Sequence, residues 1–189
     1  MPFSWCETPL VGPEIPMQVT CAFRELNEYP RQNMGLVVRS SAIHGSGCFT
    51  TTPIQKGERV AEYTGRRISK DEADTLYENS SITYLFGLGD GTVVIDGDCT
   101  AKFMNHSCDG NCETIEEDDR IWIVAIRDVP PETELTYDYC LYDGGDDPCT
   151  CSCGAENCRG SMYSPAEIKR RKAAAKRAKA MAKLNKNRA

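Results

Sequence analysis

Closely spaced cysteines are the residues of this chain best suited to hold a metal ion. The run Cys151-x-Cys153-x4-Cys158 offers three thiolates within eight residues. A structural zinc ion takes four such ligands at the corners of a tetrahedron. The residues alone leave the fourth ligand open among three candidates, which are Cys149, Cys108 and Cys112.

Zinc ligation is favoured over disulfide bonding by the N-terminal sequence. The first seven residues, MPFSWCE, carry no basic n-region and no apolar h-region, so we expect no secretory signal. No stretch reaches the ~18 apolar residues that a membrane span needs, and we expect no membrane partner. We therefore expect a reducing, intracellular location: the cytoplasm or, in a eukaryote, the nucleus and chromatin. There, eleven cysteines favour metal binding.

Three further runs carry side chains that could bind a ligand or take part in a reaction. They are His44-Gly45-Ser46-Gly47, Asn105-His106-Ser107-Cys108 and Glu134-Leu135-Thr136-Tyr137-Asp138-Tyr139. The chain has two histidines, and both lie in these runs. Taken singly the runs have structural explanations, since Tyr137 and Tyr139 alternate as in a strand and Asn105-His106 could form a buried turn.

The elements that must position these runs are mostly short strands. Strand-like runs punctuated by glycine turns begin at Leu36 and recur as far as Tyr137. The body contains one helical stretch, Ser69–Leu76. Ser69 is its expected N-cap, and Glu72, three residues later, would complete a capping box. From Ser164 a second capping box opens a helix rich in alanine and lysine that has no apolar face. The pattern predicts a mainly β body followed by a solvated helix.

Together, and in this order, these runs resemble the SET-domain protein-lysine methyltransferases that carry a post-SET zinc loop. The resemblance covers about Gly35 to Met162. It implies a SET fold of small curved β-sheets with few short helices, in which Asn105–Cys108 threads under the Tyr137–Tyr139 loop as a pseudoknot. The basic C-terminal helix would follow this fold.

The resemblance also implies which residues bind and react. The cofactor would be S-adenosylmethionine, held by His44, Gly45, Ser46, Tyr84, Lys102, Phe103, Asn105, His106 and Tyr139. The catalytic channel for the substrate lysine would be lined by Tyr139, Tyr63, Tyr137 and Phe86. In this family the zinc is typically closed by the cysteine of the Asn-His-Ser-Cys motif, so the metal ligands would be Cys108, Cys151, Cys153 and Cys158.

Such chemistry explains the aromatic residue types. A free lysine has a pKa near 10.4, so neutralising it at pH 7.4 costs about 4 kcal/mol. An aromatic channel removes water from the ammonium and favours the neutral amine, while tyrosine hydroxyls orient its lone pair. The hydroxyl of Tyr137, a position that is Tyr or Phe in the family, could hold a water that leaves no room for a methylated amine. We therefore expect mainly monomethylation.

Charge is distributed unevenly along the chain. The formal net charge is −6, but from Tyr163 onward ten Lys or Arg residues stand against one acid, so the tail carries about +9 and the rest about −15. An acidic body attracts a lysine-bearing basic protein substrate, such as a histone. The basic tail attracts nucleic acid or an acidic protein surface.

The resulting organisation has four parts: an N-terminal extension (1–34), a SET domain (35–143), a post-SET zinc loop (144–162) and a basic helical tail (163–189). We expect methyl transfer from S-adenosylmethionine to lysine. One alternative is a non-catalytic, zinc-containing module that binds chromatin or nucleic acid through its tail. Another is a methyltransferase that acts on a different amine, such as a protein N-terminus.

Overall fold

The computed structural model describes residues 35–80, 83–142 and 148–186. The expected N-terminal extension, residues 1–34, lies outside this part of the chain. The described residues are mainly β, as predicted, and their ten strands are β1 (Leu36–Ser40), β2 (Ser46–Thr50), β3 (Arg59–Tyr63), β4 (Gly65–Ser69), β5 (Leu85–Leu88), β6 (Val93–Gly97), β7 (Asn105–His106), β8 (Cys112–Glu117), β9 (Arg120–Ala125) and β10 (Thr133–Tyr137).

The strands form two sheets. The larger has the order β1-β2-β10-β8-β9-β3, with β7 attached to β10, and the smaller has the order β4-β6-β5. Most neighbouring strands are antiparallel, whereas β10 pairs in parallel with both β7 and β8. Strand β10 therefore lies at the centre of the larger sheet and brings distant segments together.

Pairing of β7 with β10 places two of the sequence runs side by side. Asn105 lies opposite Thr136, and His106 lies opposite Tyr137. The amide of Ser107 then donates to the carbonyl of Tyr137 at 3.0 Å. This is the neighbourhood that the predicted pseudoknot requires, and it brings the Asn-His run within reach of the tyrosines that follow β10.

A single large apolar cluster lies beneath these strands. It includes Leu135 and Ile123, both fully buried, and Met104 at 1 % exposure. Half-exposed and buried residues alternate from Arg120 to Ile123 of β9, as in a strand with one face on the core, and the last two residues of β9 are buried as well. Burial of this face sets the register of the sheet, because a shift by one residue would expose the whole apolar set.

Both predicted helices are present. Helix α1 spans Lys70–Leu76, and the hydroxyl of Ser69 accepts from the amide of Glu72 at 3.1 Å. Helix α2 spans Pro165–Lys186. A short 3₁₀ turn, Thr100–Phe103, leads into β7. Neither helix in the described ranges combines the length and apolar character needed to cross a membrane.

Candidate active site

Four aromatic side chains from three strands and a loop meet in the core, and we call them the aromatic site: Tyr63, Phe86, Tyr137 and Tyr139. The ring centroids of Tyr63 and Phe86 are 5.3 Å apart, and those of Tyr137 and Tyr139 are 5.0 Å apart. Tyr63 and Tyr137 belong to the main apolar cluster, against which the other two rings pack. The structure thus brings all four predicted channel residues together.

Two hydroxyls of the aromatic site are fixed by backbone carbonyls. The Tyr63 hydroxyl donates to the carbonyl of Tyr84 at 2.8 Å, and the Tyr139 hydroxyl donates to the carbonyl of Met104 at 2.9 Å. A Cβ at Gly97 would lie 2.5 Å from the Tyr63 hydroxyl, so glycine at this position keeps space for it. Both hydroxyls therefore keep their lone pairs available for another donor.

Burial determines the protonation of these tyrosines. It raises the pKa of Tyr63, of Tyr137 and of Tyr139 above the usual phenol value, and the neighbouring tyrosines raise it further. The three phenols stay protonated at neutral pH and cannot act as bases there. Their chemical contribution is to orient and hydrogen-bond a group that enters the site.

Asn105 connects the glycine-containing run to β10. Its side-chain amide donates to the carbonyl of His44 at 3.3 Å, to that of Ser46 at 3.0 Å and to a carboxylate oxygen of Glu134 at 2.8 Å. The same carboxylate accepts from the hydroxyl of Ser41 at 2.8 and 2.9 Å. These bonds hold His44, Gly45 and Ser46 beside Asn105, although all three residues are exposed.

The ammonium of Lys102, three residues before Asn105, lies near two aromatic rings. The Lys102 ammonium is 5.2 Å from the ring centroid of Tyr84 and 5.4 Å from that of Phe103. Its described ion-pair partner is the carboxylate of Asp98, 3.9 Å away and 93 % exposed, a weak arrangement. A cation, two aromatic faces and the Asn105 amide suit a zwitterionic ligand that also carries an aromatic base.

His106 joins the aromatic site to the cysteines. Its Nδ1 accepts from the amide of Tyr139 at 3.1 Å, so the ring proton lies on Nε2, which is 3.4 Å from the sulfur of Cys108. Burial lowers the pKa of His106 to about 4, although the carboxylate of Asp138 opposes this shift. The imidazole is therefore neutral at physiological pH and fixed in one tautomer.

The cysteine cluster consists of Cys108, Cys151, Cys153 and Cys158, whose sulfur atoms all lie within 4.8 Å of one another. The Cys151 sulfur is 3.8 Å from that of Cys108 and 3.7 Å from that of Cys158. Zinc–sulfur bonds of about 2.3 Å in a tetrahedron place the sulfurs about 3.8 Å apart. Both of these distances match that spacing, so the cluster is compatible with a bound zinc ion.

Backbone amides donate hydrogen bonds to sulfurs of this cluster. The amide of Cys108 donates to the Cys153 sulfur, and the amide of Arg159 donates to the Cys108 sulfur, both at 3.4 Å. Burial raises the pKa of Cys153, but the amides of Cys108 and Ala155 and the neighbouring thiols outweigh it and lower the pKa to about 6. Burial raises the pKa of the other two cluster thiols for which a shift is found, Cys108 and Cys151, and it raises the pKa of Cys112 to about 12. Neither Cys112 nor Cys149 belongs to the cluster.

A bidentate ion pair connects the aromatic site to the cysteine-rich loop. The guanidinium of Arg159 donates to the two carboxylate oxygens of Asp138 at 2.7 and 2.8 Å, and about a quarter of each side chain is exposed. Asp138 directly precedes Tyr139, and Arg159 directly follows Cys158. The pair thus fixes the tyrosine loop against the proposed metal loop.

Several residues of this site were not singled out from the sequence. Glu134 and Asp138 lie in the quoted Glu134–Tyr139 run, so their position was visible and their partners were not. The carbonyl of Met104 gives no side-chain signal at all. Ser41 and Arg159 become relevant because folding brings them to residues far away in the chain.

Comparison with known proteins agrees with this architecture. The family model described as "SET domain" matches residues 45–140. "Histone-lysine N-methyltransferase 2B" of Homo sapiens is 36 % identical over 158 residues, which cover 77 % of this chain and 6 % of that protein. "Histone H3-lysine(4) N-trimethyltransferase ATX1" of Arabidopsis thaliana is 37 % identical over 151 residues, 73 % of this chain and 14 % of that protein.

A solved structure is similar to this chain over about half of its length. The structure described as "ctPRC2 in an autoinhibited conformation bound to S-adenosylmethionine" aligns with a TM-score of 0.51 and 30 % identity, over 56 % of this chain and 15 % of that one. The fold and site define a compact β protein of the SET type, and the chain belongs to the SET domain family. It spans only a small part of the length of the curated relatives that it matches.

Proposed function

We propose that this chain transfers a methyl group from S-adenosylmethionine to the side-chain amine of a lysine in a protein substrate. The observation that carries the proposal is the aromatic site, in which the protonated hydroxyls of Tyr63 and Tyr139 are fixed by backbone carbonyls. Such a site suits an amine nucleophile that must be desolvated and aligned. The names of the relatives, histone-lysine methyltransferases, support the same activity.

The residues around Asn105 would hold the cofactor. Lys102 would face its carboxylate, Tyr84 and Phe103 would contact it through their rings, and the His44–Ser46 backbone would complete the site. Asn105 and His106 would hold its amino group and adenine. When bound, S-adenosylmethionine supplies a methyl group already activated by a sulfonium leaving group. The chain itself then needs no catalytic metal or nucleophile.

The aromatic site would act on the substrate amine. Its apolar walls disfavour the ammonium form and release its proton to solvent, so that the neutral lone pair can point at the methyl group. The hydroxyl of Tyr139 accepts a hydrogen bond from the amine while it donates to the Met104 carbonyl. Alignment of this kind can lower the activation free energy by about 7–11 kcal/mol.

We propose that Tyr137 limits how many methyl groups the substrate lysine receives. Its side chain is 8 % exposed, and no group in the described part of the chain hydrogen-bonds its hydroxyl. That hydroxyl can hold a water in the space that a methylated amine would need, and displacing the water costs free energy. We therefore propose mainly monomethyl-lysine as product. The Arabidopsis relative is named as a trimethyltransferase, so this proposal rests on Tyr137 and not on the relatives.

Partners follow from the relatives and from charge. A histone or another lysine-rich protein is the proposed substrate, and the nucleus or chromatin the proposed location. Structural zinc is assigned to the cysteine cluster, where it would hold the loop that follows β10. We also propose nucleic acid as a partner of the basic tail, supported by the lysine and arginine residues of α2.

One assay tests the activity directly. The full chain, purified with zinc, is incubated with radiolabelled S-adenosylmethionine and either core histones or histones whose lysines have been chemically blocked. Label should enter only the unblocked histones, and mass spectrometry should find mainly monomethyl-lysine. Label in both would favour a different amine. Calorimetry that detects no cofactor binding would support the non-catalytic alternative.

A further inference from the structure

Helix α2 begins from a fixed base. The Ser164 hydroxyl accepts from the amide of Glu167 at 3.2 Å, and the buried Glu167 carboxylate pairs with Arg170 and Arg171 at 2.6 and 2.7 Å. The Arg171 guanidinium lies 3.9 Å from the ring centroid of Tyr163, which is 2 % exposed. The first turn of α2 is therefore fixed to the buried ring of Tyr163.

This base is continuous with the segment that carries Tyr139. The amide of Ser164 donates to the carbonyl of Leu141 at 2.8 Å, and the amide of Leu141 donates to that of Met162 at 3.0 Å. Leu141 is two residues after Tyr139. Whatever α2 binds is consequently held in a defined position relative to the aromatic site.

Beyond its base, α2 carries a one-sided row of cations that we call the lysine stripe: Lys172, Lys176, Lys179 and Lys183. Their spacings of four, three and four residues place them within about 60° of the helix circumference and along about 16 Å of its length. All four are exposed, and none pairs with an acid in the part of the chain that the structure describes.

The lysine stripe is unfavourable for the isolated helix. Like charges three or four residues apart repel each other, and α2 contains no acid after Glu167 to offset them. An anionic partner that lies along the stripe would remove this repulsion. The net charge of about −15 on the rest of the chain would repel the same partner and confine it to α2.

The composition of α2 selects among anionic partners. Protein interfaces need an apolar core and are depleted in lysine, whereas α2 has only Met181 and Leu184 as large exposed apolar residues. Those two residues also form too small a face for a membrane surface. Proteins usually bind single-stranded nucleic acid by stacking its bases on aromatic side chains, and α2 contains no aromatic residue. A duplex phosphate backbone needs only the cations.

We propose that the lysine stripe binds the phosphate backbone of duplex DNA without regard to sequence, which anchors the aromatic site beside a DNA-bound substrate protein. A single α-helix fits the major groove, which is about 12 Å wide, or can lie across the phosphates that border it. The anchoring consequence rests on the methyl transfer proposed above, whereas the DNA contact itself does not.

The test measures binding of the full, zinc-loaded chain to a 30-base-pair duplex by fluorescence anisotropy, without cofactor. Four phosphate contacts predict that affinity falls about 100-fold between 50 and 200 mM salt. Replacing all four lysines of the stripe by glutamine, which also favours helix, should reduce affinity at least tenfold and abolish most of the salt dependence. Because methyl transfer is not measured, failure here leaves the proposed activity untouched.

A charge-matched control separates the stripe from net charge. Each lysine is exchanged with an adjacent alanine, which leaves composition unchanged and splits the cations into two pairs on opposite faces. The exchanges are Lys172 with Ala173, Lys176 with Ala175, Lys179 with Ala180, and Lys183 with Ala182. We expect at least threefold weaker binding. Equal binding by this control, tighter binding of single-stranded DNA, or unchanged binding by the glutamine variant would each overturn the proposal.

Discussion

The aromatic site and the cysteine cluster are neighbours whose geometries have different physical origins. The rings of the aromatic site pack in or against the main apolar core, and two of their hydroxyls are fixed by backbone carbonyls. The four cysteines are each partly exposed, and none of them belongs to the apolar clusters of the described residues. Packing sets the first geometry, whereas ligand chemistry must set the second.

Because of this difference, the two regions should respond differently to the loss of a single side-chain group. A packed site tolerates loss of one hydroxyl without unfolding, because the ring keeps its contacts. A metal site loses its whole organisation when one ligand is removed. The two regions are nevertheless joined, through His106 and through the ion pair between Asp138 and Arg159. Damage to the cluster should therefore reach the tyrosines.

The largest effect is expected from removal of a zinc ligand. Cys108→Ser removes one of the four ligands and should lose the metal. The stability of the variant should then fall, since structural zinc contributes on the order of 10 kcal/mol in small domains. Elemental analysis of the purified variant and its thermal unfolding measure this. Cys149→Ser and Cys112→Ser are matched controls and should keep one zinc per chain. Zinc retained in Cys108→Ser but lost from Cys149→Ser would reverse the ligand assignment.

Tyr139→Phe should leave zinc content and fold unchanged but lower kcat/KM for methyl transfer about 100-fold, an effect typical of removing one hydrogen-bonding group that acts in the transition state. The reason is that the hydroxyl, fixed by the Met104 carbonyl, orients the amine most effectively in the transition state. Steady-state kinetics on a histone peptide provide the measurement. Turnover within twofold of the unmodified chain would shift the main role to Tyr63.

A smaller effect, about tenfold in kcat, is expected when the link between the regions is cut. Arg159→Ala and Asp138→Asn each remove the bidentate ion pair, which loosens the Tyr139 loop without removing a zinc ligand. The double variant should be no worse than either single one, because both changes remove the same interaction. Fully additive losses, or loss of zinc, would mean that the two residues act separately.

The smallest effect concerns product state. Tyr137→Phe removes the hydroxyl that we expect to hold a water, so it should speed the second methyl transfer about tenfold, equivalent to about 1.4 kcal/mol, at a similar total rate. Mass spectrometry of product peptides over time distinguishes mono-, di- and trimethyl-lysine. If the unmodified chain already makes abundant trimethyl-lysine, Tyr137 does not limit the product.

The sequence alone determined the local features correctly. Ser69 and Ser164 were predicted as helix caps, and each hydroxyl accepts from the amide three residues later. Strand-like runs were also predicted to begin at Leu36 and recur as far as Tyr137, and the first and last observed strands begin and end at these residues. Such features depend on backbone geometry and on the periodic burial of neighbouring side chains, which a few adjacent residues encode. The roles assigned to individual site residues and the domain boundaries remain predictions.

The tertiary structure decided which distant groups meet. From the residues alone the fourth zinc ligand was open, and only the family resemblance favoured Cys108, whose sulfur the fold brings beside those of the cysteine loop. The contact between Ser41 and Glu134 spans 93 residues, and the acceptor of the Tyr139 hydroxyl is a main-chain carbonyl. Side-chain type and local spacing encode neither, because such contacts arise only when the sheet closes around β10.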